Sequence, residues 1–335
     1  MKYGIIQPTY AITNNSGVMV QCKMWAKGLR NLGHEVSLIN FWDRNDWKSF
    51  DAIIVVSFSL GLRVLIKDLF KNNTNLIMAP IIDPNIPAWR YKFYCKWWGN
   101  QKYLGLTSRF HDLWLSKDCF KLWLVRSEEE RHYTNYCLER PQEIIKKIPL
   151  HFRIPPIAEM PFKEKFCFHV SRLASANKNV PLLIEAAKRY GFNLKLAGYL
   201  HGASEQDWLK KLIGNAENIE YVGEVSEQEL WDLYKRARVF ALPSLQEGVG
   251  MVALEAAAYG CEIVLTNYGA PKEYYDGRAV LVDPMNIDEI GEAIMTAMDK
   301  DYAQPELMCY MNENYSEEAC CKLLDKYIQE AISQE

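Results

Sequence analysis

Residues 242–256 read Leu242-Pro243-Ser244-Leu245-Gln246-Glu247-Gly248-Val249-Gly250-Met251-Val252-Ala253-Leu254-Glu255-Ala256. This stretch leaves an apolar run of strand character, Val239 to Leu242, passes a carboxylate and two glycines, and enters an apolar run expected to be helical over 250–259. Glycines between a buried strand and a helix let the backbone approach a ligand closely. The N–H groups and dipole of the helix start then favour an anion such as a diphosphate. The pattern predicts a phosphate seat at Gly248, Val249, Gly250 and Met251. Glu255 lies eight residues beyond Glu247, one or two turns inside the helix, where it is placed to accept hydrogen bonds from hydroxyls such as those of a ribose.

Two carboxylates beside a phosphate repel it unless cations compensate. The loop after the strand expected at 166–170, Ser171-Arg172-Leu173-Ala174-Ser175-Ala176-Asn177-Lys178, supplies Arg172 and Lys178. Around these two loops, helices at 180–190, 203–213 and 227–236 alternate with strands at 193–197, 219–221, 239–242 and 262–266. The first half alternates likewise, with strands at 2–7, 35–40, 52–57, 76–82 and 122–127 and a helix over 18–32 that stops at Gly33. Alternation of this kind predicts α/β architecture with parallel sheets covered on both faces. Between the halves, Pro149, Pro155, Pro156 and Pro161 mark residues 148–161 as a linker. Two doubly wound domains follow, 1–157 and 158–315, with the C-terminal helix 316–335 a candidate to pack back on the first. Ligands of open α/β sheets bind outside the carboxyl ends of the strands, and two facing sheets create one deep cleft.

Size and composition agree. A chain of 335 residues exceeds the roughly 250–300 at which one core stops growing. With 49% hydrophobic and 24% charged residues it is an ordered globular protein, and a net charge of −3 argues against nucleic acid as a partner. The nine cysteines form no Cys-x-x-Cys pair and read as reduced thiols, Cys320 and Cys321 as packing residues of a C-terminal helix. No apolar run approaches the ~18 residues of a membrane span, and the start, Met1-Lys2-Tyr3, has no leader character. The expected location is cytoplasmic, with a peripheral position at the inner face of the membrane as an extension. That extension rests on residues 89–98, where Trp89, Phe93 and Trp97 share a helical stripe beside Arg90, Lys92 and Lys96. The same stripe suits core or acceptor-cleft walls. The six histidines are isolated, His169 reads as a satisfied core residue, and Asp299-Lys300-Asp301 reads as a solvated helix end.

Glu247 to Glu255, with the Arg172 and Lys178 loop upstream, resembles the large retaining glycosyltransferase family called group 1, or family 4, of GT-B fold. The family pattern, about E-G-F-G-x-x-x-x-E-A, stands here as Glu-Gly-Val-Gly-Met-Val-Ala-Leu-Glu-Ala. Similar in order are Gly17-Val18 with Leu32-Gly33-His34-Glu35-Val36, Val222-Gly223-Glu224-Val225, Gly269-Ala270-Pro271-Lys272-Glu273, Asp276-Gly277 and Leu281-Val282-Asp283-Pro284. The likeness covers nearly the whole chain, more closely after about residue 165. It implies two Rossmann-like domains, the second binding a nucleoside-diphosphate sugar. It implies that Arg172, Lys178, Gly248 to Met251, Gly17 and Val18 hold the diphosphate. Glu255 would hold the ribose, Glu247 the donor sugar, and backbone near Gly198 and Val225 the base. It further implies transfer with retention, without metal or other cofactor, to a glycan or lipid-linked acceptor of polysaccharide biosynthesis.

This chain departs from the family in places. A single Gly17 follows Asn14-Asn15-Ser16 where two glycines are frequent, and Ile82-Asp83-Pro84 stands where many members have a histidine. Asp83 is a candidate general base, as is the departing phosphate. Alternatives on the same architecture are a nucleotide-sugar epimerase or hydrolase, and a catalytically silent nucleotide-sugar-binding protein. A dinucleotide-dependent dehydrogenase is disfavoured, because the first strand leads to Pro8-Thr9-Tyr10 and not to a G-x-G-x-x-G turn.

Overall fold

The computed structural model describes residues 1–8, 17–40, 45–82, 86–98 and 107–333. The chain divides into two compact units, Met1–Leu150 with Glu317–Glu335, and His151–Ser316.

In the first unit six parallel strands are β1 (Lys2–Ile6), β2 (Glu35–Leu38), β3 (Ala52–Val56), β4 (Leu76–Ala79), β5 (Leu122–Val125) and β6 (Ile145–Lys147), ordered β2-β1-β3-β4-β5-β6. All of Ala52-Ile53-Ile54-Val55-Val56 is buried, as expected of a central strand covered on both faces. On one face α1 (Gly17–Asn31) and α12 (Glu317–Ser333) pack Cys22, Trp25 and Leu29 with Leu324 and Ile328. On the other, α2 (Leu62–Phe70), α3 (Ala88–Lys96), α4 (Arg109–Ser116) and α5 (Glu128–Leu138) surround Trp123, Tyr91 and Tyr133.

The strand expected at 76–82 ends at Ala79, because Pro80 follows and Ile81 takes a left-handed φ of 55°. Residues 88–96 and 109–116 form α3 and α4, ahead of β5. The period of α3 is masked because its outward residues are aromatic rather than polar. The edge strands β6 and, in the second unit, β12 (Val280–Val282) escaped the sequence reading, since three residues are too few to display alternation.

The second unit runs β7 (Glu164–Val170), α6 (Val180–Tyr190), β8 (Leu194–Ala197), α7 (Gly202–Ile213), β9 (Ile219–Gly223), α8 (Glu227–Arg236), β10 (Ala237–Leu242), α9 (Met251–Ala258) and β11 (Glu262–Thr266). After β12 come α10 (Ile287–Asp299) and α11 (Glu306–Tyr315). Its parallel sheet has the order β12-β11-β10-β7-β8-β9. The chain builds outward from β7 through β8 to β9, then crosses back to lay β10 on the other side of β7. This reversal is a topological switch point, where loops diverge and leave a crevice. Local signals help set the helix starts: Ser226 and Glu229 form a capping box on α8, and Asn286 accepts from the Asp288 and Glu289 amides on α10.

The seam between α1 and α12 is close, since a Cβ on Gly28 would overlap Cys321 Sγ and lie 2.9 Å from Cys321 Cβ. Gly28→Ala should therefore lower stability by about 1–3 kcal/mol despite its better helix propensity. Urea denaturation checks this, and Cys321→Ala in the same chain should recover part of the loss.

Candidate functional site

The loops after β7 and β10 meet at the switch point. Asn179 sits in the left-handed region (φ 55°, ψ 31°), and its buried side-chain amide donates to the carbonyls of Pro243 (3.1 Å) and Pro284 (2.6 Å). The Leu245 amide donates to the Asn177 carbonyl at 2.8 Å. Asx-type local bonding makes asparagine tolerant of this backbone, so one side chain stitches three loops together.

Across that seam Lys178 Nζ lies 2.5 Å from Glu247 Oε2, which also accepts from Ser244 Oγ at 3.2 Å. Arg172 is exposed and has no ion-pair partner among the described residues. The loop after β7 thus carries two cations, Arg172 and Lys178, and one of them meets the carboxylate of Glu247. Gly250 caps α9 with φ 73° and ψ 50°, and an added Cβ would press on Leu242 at 3.3 Å and Glu247 at 3.5 Å. The first-turn N–H groups of α9, which have no acceptor within the helix, complete a seat suited to an anion. The structure thus brings Lys178, Glu247 and the start of α9 together, with Arg172 exposed earlier on the loop that carries Lys178.

Glu255 is 1% exposed. Its Oε1 accepts from Arg153 Nε at 2.6 Å and its Oε2 from the Tyr234 hydroxyl at 3.3 Å. Burial lowers the Arg153 pKa, but the Glu255 charge and hydrogen bond outweigh it and leave the guanidinium raised. Burial, then the Glu255 charge, pushes the Tyr234 phenol well above its ordinary range, so it remains a donor. Neither partner was foreseen. Arg153 lies in the proline-rich stretch read as linker, and no local pattern couples it to a residue a hundred positions away.

His169 is fully buried at the end of β7. Its Nδ1–H donates to the Ala241 carbonyl at 2.8 Å and its Nε2 accepts from Ser171 Oγ at 2.7 Å. Burial pulls its pKa to about 4, opposed by the Ala241 bond and assisted by the Lys178 charge, so the ring is neutral at pH 7. It holds Ser171 and, through it, the start of the cationic loop.

Gly198 follows β8 and donates its N–H to the carbonyl of Gly223, the last residue of β9, at 2.9 Å, and Val225 lies two residues beyond Gly223. Gly17 and Val18 open α1 in the first unit. Asp83 lies outside the described residues. Asp299 and Asp301 are exposed and pair with Lys165 (3.1 Å) and Arg238 (2.5 Å).

Replacing Arg153 by Met leaves a buried carboxylate without its cation. The expected cost is about 3 kcal/mol, the lower end for breaking a buried pair, because Arg153 keeps 38% of its side chain in solvent. Glu255→Gln in the same chain should restore most of that loss, as measured by denaturant unfolding. Additive losses would show that the two side chains are uncoupled.

Residues 153–318 match the family model described as glycosyl transferases group 1. O-antigen chain mannosyltransferase B of Escherichia coli is 30% identical over 131 residues, 37% of this chain and 34% of that protein. The chain thus spans about a third of the length of the first curated relatives it matches. Among solved structures, a glycosyltransferase from Rickettsia africae superposes with a TM-score of 0.73 at 16% identity, covering 100% of both chains. Anabaena HepE in complex with UDP and glucose gives 0.69 at 12% identity, covering 98% of this chain and 100% of that one. These two likenesses show the fold, GT-B with two Rossmann-like units. The match to the glycosyl transferases group 1 model falls almost wholly within the second unit of this chain.

Proposed function

We propose that this protein transfers a sugar, with retention, from a nucleoside-diphosphate sugar to a glycan or lipid-linked acceptor in polysaccharide biosynthesis. The observation that carries the proposal is the contact of Lys178 with Glu247 beside the α9 N-terminus at the β7/β10 switch point, on a loop that also carries the exposed Arg172. Relatives in O-antigen synthesis support the direction, as does a neighbour of the same fold bound to UDP and glucose.

In this reading Arg172, Lys178 and the N–H groups of Gly248 to Met251 bind the donor diphosphate. As the bond from the anomeric carbon to the diphosphate breaks, charge grows on the leaving oxygens, and preorganised cations stabilise it. The acceptor oxygen attacks from the face the diphosphate leaves, and its proton passes to a diphosphate oxygen or to Asp83. The products are the glycosylated acceptor and the nucleoside diphosphate. Two protein cations do the neutralising, so no metal is needed. Lys178 holds Glu247 in the free protein, and binding of the diphosphate releases Glu247 to the hydroxyls of the donor sugar. Glu255 meets the ribose where Arg153 now stands. Gly198 and Val225 offer backbone to the base.

We also infer peripheral contact with the inner face of the membrane through residues 89–98. Trp89, Phe93, Trp97 and Trp98 are 63%, 45%, 68% and 60% exposed. Arg90 and Arg109 border a cavity of about 490 Å³ among these rings, without ion-pair partners among the described residues. Lys92 and Lys96 share the single carboxylate of Glu139 at 3.1 and 2.6 Å, so one positive charge remains there beside the two arginines. Exposed aromatics with cations suit an anionic interface.

Thermal-shift titration with UDP, GDP and ADP, with and without magnesium, should give a magnesium-independent shift for one of them. Arg172→Ala or Lys178→Ala should weaken that binding about tenfold or more. Glu247→Gln should retain nucleotide binding and depress transfer. Unchanged affinity in both cation variants refutes the phosphate seat. For the membrane contact, the protein should sediment with phosphatidylglycerol vesicles and not with phosphatidylcholine vesicles, and Trp89→Ala with Trp98→Ala should abolish it. Sedimentation that survives those changes rules out this face.

A further inference from the structure

We infer that Tyr199, on the loop after β8, is the platform on which the donor's nucleobase stacks, an inference that rests on the nucleoside-diphosphate reading above. With the diphosphate at the β7/β10 switch point, the base must extend over neighbouring loops, since adjacent strands are only about 4.8 Å apart. It runs toward either β8 and β9 or β11 and β12.

The β8 side presents a flat slot. At Gly198, φ is 135°, and an added Cβ would collide with the Ser171 carbonyl oxygen, so no side chain can rise from that point. Gly223, at the end of β9, has open space above it. This floor is braced, because the Gly198 carbonyl accepts from the Tyr221 hydroxyl at 2.9 Å. Beside it Tyr199 is 46% exposed. Its ring meets the His201 ring at 4.7 Å between centroids and 80°, with hydroxyl and Nδ1 3.3 Å apart. His201 is anchored in turn, its amide donating to Glu205 Oε2 at 2.6 Å. A large ring held before the ligand arrives loses little entropy on stacking.

The β11 side is differently built. Tyr268 is comparably exposed, but its hydroxyl reaches Asp283 at 3.4 Å and its amide is bonded to Thr266 Oγ1 at 3.2 Å. A Cβ on the neighbouring Gly269 would lie 3.1 Å from the Glu247 carbonyl, which places this loop against the residue assigned to the donor sugar. The base and the sugar leave the diphosphate in opposite directions, so the base goes to Tyr199. A planar purine or pyrimidine of either kind would stack there.

The test is calorimetric titration of the full chain with UDP, GDP, ADP and inorganic diphosphate, for the wild type, Tyr199→Ala, Tyr199→Phe and Tyr268→Ala. Tyr199→Ala should lower nucleoside-diphosphate affinity about five- to a hundredfold and leave inorganic diphosphate binding unchanged. Tyr199→Phe, which keeps the ring, and Tyr268→Ala should bind nucleotide as the wild type does. Equal nucleotide affinity in the wild type and Tyr199→Ala, or a loss confined to Tyr268→Ala, overturns the platform while leaving the phosphate seat standing. A wild type that binds no nucleoside diphosphate overturns both readings at once.

Discussion

The loop edge of the second unit's sheet depends on one junction, the amide of Asn179 bonded to the carbonyls of Pro243 and Pro284. Parallel strands deliver all their following loops to one edge of the sheet, and the crossover from β9 to β10 parts them at β7. Left alone, loops at such a point would splay. Asn179 closes the gap from within, holding the segment with Arg172 and Lys178 against the segment with Glu247 and Gly250. Its left-handed backbone starts α6 at once, so the helix packs on the sheet while the residues before it stay at the rim. The Lys178–Glu247 contact follows from that closure, and with it a seat whose charge is poised for an anion.

Beneath the rim two sets of buried polar groups are hydrogen-bonded as supports. His169 is neutral, dry and doubly bonded, and serves as a strut for Ser171. Glu255, Arg153 and Tyr234 form a second set, in which a buried carboxylate accepts from a guanidinium at the start of the unit and from a buried phenol. Such pairs add little net stability over apolar residues, yet losing one partner is costly. The segment around Arg153 is thereby tied to the helix that carries the anion seat, linking the first residues of the unit to its ligand face.

The first unit shows how the same sheet logic can carry a different surface. Its central strands are buried throughout, and α12 returns from the far end of the chain to cover β1 and α1. On the opposite side α3 buries Tyr91 and Cys95 and turns Trp89 and Phe93 outward. The aromatic run therefore serves both core and surface, and its sequence alone does not divide the two duties.

Read from the sequence by itself, two α/β halves and the motif from Glu247 to Glu255 were legible, because strand-to-helix alternation and glycine spacing are local and periodic. Several elements of the second unit carry the expected boundaries, α6, α8 and β11 among them. The residues flanking Arg172 and Lys178 were legible for the same reason, since each follows a recognisable strand. Tertiary structure alone decided which loops touch. It gave Lys178 to Glu247 and Arg153 to Glu255, made Asn179 a stitch rather than a loop residue, and set the Tyr199 ring against His201 beside a glycine floor. Those facts turn on strand order and on contacts between positions tens to a hundred residues apart. Local propensity fixes the direction of an element, but the long-range packing of the sheet chooses its neighbours.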